Sequence, residues 1–319
     1  MKMVLSGTLD ETAALRIVPD LKIVRAEGEE ELLAASADAD IAVMMGMGWL
    51  RGGFPAFLAH AKKLRWFHCS SAGVDPLLCP EFIASDVVMT CAKGSPIGAL
   101  LAEHAFALML SLTRGIADCA RLKRWKGRSD GARQAYELGG KTLGIVGFGG
   151  AGQALAKRAR AFDMNVIAVR RRPALSDDAG VKQWGMECFH EMLGCADIVV
   201  VTVPHTPETE GLFGPAEFKC MQEHALLIAI GRGQTVQTDA LVSALENGAI
   251  GGAGIDVVDP EPLPDDHPLW QCPNTVITPH MAGNAPERAG RNEQLVLENL
   301  KRFALGQPLL SAVDKILGY

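Results

Sequence analysis

Short apolar runs alternate with amphipathic stretches along the whole chain. In the amino-terminal part the runs Met3–Ser6, Leu21–Val24, Ile41–Met45, Leu64–His68 and Val87–Cys91 predict strands. Between them Glu11–Ile17, Glu29–Ala35 and Phe54–Ala61 carry apolar residues at helical spacing. Strand–helix alternation of this kind predicts a parallel sheet with helices on both faces. A long helix is predicted from about Pro96 to Leu122, opening on a proline that suits a first helical turn. Its Leu100, His104, Ala107, Leu108 and Leu112 fall on one face, and a polar stretch, Lys123–Gln134, follows.

The second part repeats the architecture without repeating the letters. The apolar run Leu143–Val146 leads into a glycine turn, Leu155, Ala159 and Phe162 recur at helical spacing, and Val166–Val169 is a second apolar strand. Further strands are predicted at Ile198–Val203, Leu226–Ile230, Gly254–Val258 and Thr275–Thr278, separated by helices near Phe189–Leu193, Pro215–Lys219 and Thr238–Asn247. A last helix, Glu287–Phe303, places Val296, Leu300 and Phe303 on one side. The fold class expected is α/β, with two doubly wound parallel-sheet domains.

Composition narrows what such a chain does. A length of 319 residues suits two moderate domains, and 48% hydrophobic with 21% charged residues is the balance of a well-packed protein. A net charge of −6 argues against a nucleic-acid partner, because a phosphate backbone selects a basic face. The eight cysteines show no CxxC spacing and several sit in apolar runs, so no metal site and a reducing, cytoplasmic location are expected. No signal segment is evident, no apolar stretch approaches the length of a membrane span, and no membrane association is expected.

The glycine turn carries chemistry. Gly147, Phe148, Gly149, Gly150, Ala151 and Gly152 follow a predicted strand and open a predicted helix, and the spacing Gly147-x-Gly149-x-x-Gly152 is what a dinucleotide pyrophosphate needs. The first glycine makes the turn, the second admits the phosphates, and the third lets helix pack on strand. Ligands of open parallel sheets bind beyond the carboxyl ends of strands. Three such ends read Ile230-Gly231-Arg232, Val258-Asp259-Pro260-Glu261 and Thr278-Pro279-His280. Reduction of a carbonyl needs a proton donor, which an imidazole supplies, and a carboxylate beside it fixes tautomer and charge. An arginine fork can hold a substrate carboxylate. Each residue also has a plainer reading: Arg232 as a surface charge, Glu261 as a solvated loop residue, His280 as a capped core histidine.

These motifs resemble the D-isomer-specific 2-hydroxyacid dehydrogenase family over essentially the whole chain. The resemblance is carried by Gly147–Gly152, Val203-Pro204-His-Thr-Pro-Glu-Thr209, Gly231-Arg232-Gly233, Asp256–Pro262 and Thr278–Gly283. In the first part it is carried by Ser71-Ala72-Gly73-Val-Asp75 and Ala102-Glu103-His104. It implies a flavodoxin-like substrate domain of residues 1–96 and 288–319, a Rossmann cofactor domain of residues 97–287, a cleft between them that closes by hinge motion, and a homodimer through the cofactor domain. It also implies Arg232 on the substrate, His280 as acid–base group, Glu261 as its partner, and Asp256 on the nicotinamide carboxamide. Val203, Pro204, Ile230, Gly231 and Gly283 would line the cofactor. The backbone of Ser71, Ala72 and Gly73 would receive the substrate carboxylate.

One segment departs from the usual pattern. NAD-preferring folds end the second strand on an acid about twenty positions past the glycines. Here Arg170, Arg171 and Arg172 stand there, which predicts NADP(H) in preference to NAD(H), since a 2′-phosphate suits a guanidinium. Met47 and Trp49 follow a predicted strand and read equally as pocket wall or core filler, and Trp125 as a residue reaching a partner subunit or as packing. The expected activity is NADPH-dependent reduction of a small 2-keto acid, glyoxylate or hydroxypyruvate among them, to a D-2-hydroxy acid. Phosphite or formate oxidation on the same scaffold, or a nucleotide-sensing corepressor role, are the alternatives; formate oxidation would replace Glu261 by glutamine.

Overall fold

The computed structural model describes residues 1–45, 53–122, 125, 135–173 and 181–319, so Met47 and Trp49 lie outside the described residues. Two compact units form, Met1–Ile97 with Ala285–Tyr319, and Gly98–Asn284.

The first unit contains β1 (Lys2–Ser6), β2 (Lys22–Arg25), β3 (Ile41–Met44), β4 (Trp66–Cys69) and β5 (Val88–Cys91). They form one parallel sheet in the order β2-β1-β3-β4-β5, the flavodoxin-like arrangement. β3 and β4 are buried along their whole length, as central strands covered on both faces must be, whereas the edge strand β2 is partly exposed. On one face α2 (Glu29–Ser36), α3 (Phe54–His60) and α4 (Pro80–Ile83) bury Leu32, Phe54, Phe57 and Phe82 against Phe67. On the other, α1 (Glu11–Ile17) and the last helix, α11 (Glu287–Ala304), bury Ala14, Val296 and Leu300 against Met3, Leu5 and Trp66. Asp10 caps α1 by accepting the Ala13 N–H at 2.9 Å.

The second unit contains β6 (Thr142–Val146), β7 (Asn165–Val169), β8 (Val181–Trp184), β9 (Ile198–Val201), β10 (Leu226–Ala229), β11 (Gly252–Ile255) and β12 (Thr275–Ile277). Their order, β12-β11-β10-β9-β6-β7-β8, is all parallel and reverses direction between β6 and β9. That is the Rossmann order with one more strand, and its switch point lies at the carboxyl ends of β6 and β9. α5 (Ser95–Thr113) and α7 (Gly150–Ala161) bury Leu108, Met109, Leu155 and Ala159 against Ile145, Val200 and Ile228. The opposite face is covered by α8 (Phe189–Cys195), α9 (Pro215–Cys220) and α10 (Thr238–Glu246), through Met192, Phe218 and Leu241.

Several expectations need correction. The single helix expected over Pro96–Leu122 is two, α5 and α6 (Ile116–Leu122), because Gly115 adopts φ +64° and closes the first. Ala107 is exposed; the buried face of α5 is Ala102, Ala105, Leu108, Met109 and Leu112. Pro96–Thr113 is also long and apolar enough to cross a membrane by length and composition, contrary to the sequence reading, yet that buried face is committed to the sheet core. β11 starts two residues before the expected Gly254 and ends at Ile255, while β9 stops at Val201. α4 and β8 were not anticipated: α4 is a single turn, and β8 is a short edge strand whose Lys182 is exposed. All eight cysteines are free thiols.

Candidate active site

The glycine turn leaves β6 at Gly147, whose φ of +96° excludes ordinary side chains and whose N–H donates to the Val169 carbonyl at 2.9 Å. A Cβ on Gly152 would overlap the Gly147 carbonyl, so α7 packs directly on the turn. A Cβ on Gly149 would meet nothing within 4 Å, and the residue is exposed. Gly150 and Ala151 open α7 with N–H groups that have no intrahelical acceptor. An exposed backbone with a positive helix end fits a pyrophosphate. Phe148 is 4% exposed with its ring in the core, so only its backbone faces the turn. Val203 abuts Gly147, 2.9 Å from where a Cβ would stand, and Pro204 is pinned when its carbonyl accepts the Thr209 hydroxyl at 2.6 Å. Ile230 and Gly231, both buried, follow β10.

Beyond β7, Arg170 donates through Nη1 to Gln183 Oε1 at 3.5 Å, while Arg171 and Arg172 are exposed. The Glu208 carboxyl is held below its usual range, chiefly by the Thr206 hydroxyl and its own backbone N–H, with Arg171 adding a smaller pull. Arg171 therefore lies within electrostatic reach of the loop after β9.

Glu261 and His280 come together. His280 Nδ1 lies 2.7 Å from Glu261 Oε1, and both side chains are close to half exposed, at 46% and 42%. Since the carboxylate accepts, Nδ1 carries a proton and Nε2 is the nitrogen left for exchange. His280 holds φ +49°, the left-handed region, which costs a non-glycine residue about 1 kcal/mol or more. Its N–H donates to the Asp256 carbonyl at 2.8 Å and to the Thr278 carbonyl at 3.0 Å, fixing the turn.

Asp256, 2% exposed, is filled by donors from its own unit. Its Oδ1 accepts the Thr278 hydroxyl at 2.6 Å and the Met281 N–H at 2.9 Å, and Oδ2 accepts the Ala282 N–H at 2.9 Å. His104 Nε2 stands 3.3 Å from Oδ1. Burial alone would raise the Asp256 carboxyl, but His104, Thr278 and the Ala282 and Met281 N–H groups outweigh it and hold it at about 2. Gly283, half-buried, ends this turn.

Asp256, Glu261 and His280 line one pocket of about 470 Å³ with Pro262, Leu263, Trp270, Ile277 and Thr278. Arg232 does not line it; its Nη1 donates to the Gly231 carbonyl at 2.7 Å, and the next residue, Gly233, packs against the Val258 carbonyl on the strand exit leading to Glu261. Sequence reasoning gave Trp270 no role, and nothing in its spacing marks it; Thr278 and His104 stand in recognised motifs without one. In the first unit, the Ser71 carbonyl accepts the Ala92 N–H at 3.0 Å and the Cys69 thiol at 3.5 Å, and the Ala72 carbonyl accepts the Cys91 thiol at 3.7 Å. A trans peptide points its N–H opposite to its carbonyl, so Ala72 and Gly73 aim their N–H groups away from those partners. Among the described residues no cluster of three metal-ligating side chains occurs.

An exposed glycine cradle at the switch point of a Rossmann sheet and a carboxylate–imidazole pair beyond two of its strands define a dinucleotide-dependent oxidoreductase. Residues 106–282 match the D-isomer specific 2-hydroxyacid dehydrogenase, NAD binding domain family. The chain is 36% identical over 267 residues to the glyoxylate reductase of Thermococcus litoralis, covering 81% of this chain and 79% of that one. Among solved structures, a D-isomer specific 2-hydroxyacid dehydrogenase family protein from Aeromonas salmonicida is 32% identical, with TM-score 0.80 and coverage of 98% and 99%. A D-isomer specific 2-hydroxyacid dehydrogenase from Xanthobacter autotrophicus, in complex with NADPH and MES, is 26% identical, with TM-score 0.81 and coverage of 100% and 99%. The chain belongs to the D-isomer-specific 2-hydroxyacid dehydrogenase family and is an NAD(P)-dependent oxidoreductase.

Proposed function

We propose that the protein reduces a small 2-keto acid to a D-2-hydroxy acid, with NADPH preferred over NADH. The observation that carries the reading is the His280–Glu261 pair at 2.7 Å on the wall of the pocket. When bound, the nicotinamide supplies the hydride. His280 enters protonated on both nitrogens, gives the Nε2 proton to the keto oxygen, and leaves neutral with Nδ1–H still on Glu261. Arg232 is assigned to the substrate carboxylate, for which its fork is suited, and the N–H groups of Ala72 and Gly73 to the same kind of anion. Glyoxylate reduction by the Thermococcus relative supports a small keto acid. Arg170, Arg171 and Arg172 support NADPH, as does the NADPH complex of the Xanthobacter relative. A cytoplasmic homodimer completes the reading, to be checked by sedimentation.

The test is a panel of glyoxylate, hydroxypyruvate, pyruvate, phenylpyruvate and branched 2-keto acids, followed by loss of the near-ultraviolet absorbance of NADPH or NADH. Turnover of at least one acid with NADPH favoured supports the proposal. No turnover across the panel, or NADH favoured, overturns its respective half.

A further inference from the structure

His104 sits on α5, away from the sequence of every other site residue, yet it reaches the floor of the His280 turn. Its Nε2 is 2.8 Å from Thr278 Oγ1. The threonine hydroxyl has one proton, and that proton goes to Asp256 Oδ1 at 2.6 Å. Thr278 Oγ1 must therefore accept from His104, which sets the imidazole as the Nε2–H donor. A continuous chain results: His104 to Thr278 to Asp256, and from that carboxylate to the N–H groups of Met281 and Ala282. Those two amides flank His280 on its carboxyl side, and the Asp256 carbonyl holds the His280 N–H on the other.

The same helix grips the dinucleotide turn. Glu103, one residue before His104, accepts from Arg158 of α7 at 2.7 Å. A Cβ on Gly98 would stand 2.7 Å from the Gly150 carbonyl, so only glycine lets the start of this helix approach that turn. Residues of one helix thus meet α7 and its opening turn on one side and the acid–base turn on the other.

We propose that His104 is a positioning residue, which through the Thr278 hydroxyl fixes the Asp256 carboxylate and with it the left-handed turn that presents His280. That this turn carries the acid–base group rests on the function proposed above; the brace itself does not. His280 occupies a backbone conformation that reverts unless its surroundings hold it. A buried carboxylate that loses a donor loses part of its grip on the amides it orders. His104 acts through this chain and through its own approach to Asp256 Oδ1 at 3.3 Å.

The experiment compares His104→Leu, His104→Gln and Thr278→Val with the parent protein, by hydrogen exchange of the 278–284 segment without cofactor and by steady-state kinetics. Glutamine keeps an N–H donor near the imidazole position, whereas leucine and valine remove a link. His104→Leu and Thr278→Val should speed exchange of the Met281 and Ala282 amides about tenfold, and His104→Gln by much less. kcat should fall about ten- to a hundredfold in the first two, with NADPH affinity kept, and recover in the glutamine variant. Should His104→Leu fail to fold, Thr278→Val carries the same expectation. Unchanged exchange in Thr278→Val overturns the brace whatever the substrate. Loss of kcat and of NADPH affinity together, without rescue by glutamine, overturns it as well, by showing a general structural defect. Faster exchange in a protein whose parent turns over no keto acid supports the brace and removes the proposed function instead.

Discussion

Two histidines in the two units show how surroundings decide what an imidazole does. His68 lies inside β4 of the first unit and is fully buried. Its Nε2 is 3.1 Å from Asn292 Oδ1 and its Nδ1 2.8 Å from Thr90 Oγ1, which also accepts Trp66 Nε1–H at 2.8 Å. No carboxylate takes part, so burial drives its pKa down to about 4 with only Asn292 opposing. His280 stands past the end of β12, close to half exposed, against Glu261 at 2.7 Å. The first imidazole is a neutral strut with both nitrogens spent. The second keeps one nitrogen for exchange and holds a carboxylate on the other. A histidine in an apolar run and a histidine past a strand end are thus different chemical objects.

The largest consequence is catalytic. His280→Ala should cost about 10²–10⁴-fold in kcat, the usual worth of a general acid. His68→Gln should leave kcat near that of the parent, because its side-chain hydrogen bonds go to β5 and α11. If both variants lose activity equally, the distinction between strut and acid fails.

The next effect is on stability against pH. The folded pKa of His68 lies below its unfolded value, so the unfolded chain binds the proton first as pH falls. Stability therefore declines from about pH 6.5 towards about pH 4, by about 3 kcal/mol in all. Urea unfolding at pH values across that window measures the decline, and His68→Leu should flatten it. A parent protein with no slope there would show that His68 is reached by water.

Asp256 gives the smaller, more acidic counterpart. Its folded pKa, about 2, lies below the ordinary 3.8, so its stabilisation is present above about pH 4 and lost as pH falls towards 2. The shift is worth about 2 kcal/mol. Asp256→Asn should remove that acid limb while leaving the His68 decline in place. A limb that persists in the variant would place the titration on another carboxyl.

Much of this was legible in the sequence, for identifiable reasons. Strands such as Ile198–Val201 are buried on both faces and read as unbroken apolar runs. The glycine turn was legible because phosphate chemistry fixes its spacing. Glu261 and His280 follow strands, and the sheet rule points at such positions before any coordinates. What stayed hidden depends on contacts distant in sequence. β8 is an edge strand with little apolar signal, Gly115 needed a backbone angle to show that it ends a helix, and the His104–Thr278 bond joins residues 174 positions apart.

The smallest effect separates the three arginines after β7. Arg170 is half-buried and its guanidinium points along β8 to Gln183 at 3.5 Å, so part of its donor capacity is spent within the sheet. Arg171 is exposed, and its field reaches Glu208 in the loop after β9, where the adenosine side of a dinucleotide on this turn would run. A 2′-phosphate is suited by a guanidinium on an exposed side chain beside that loop. Arg171→Ser should therefore lower the NADPH over NADH ratio of kcat/KM by about tenfold, the worth of one charge-assisted bond, and Arg170→Ser by less. The reverse order would show that Arg170 leaves Gln183 when the cofactor binds, and equal ratios in parent and variants would detach these arginines from cofactor choice altogether.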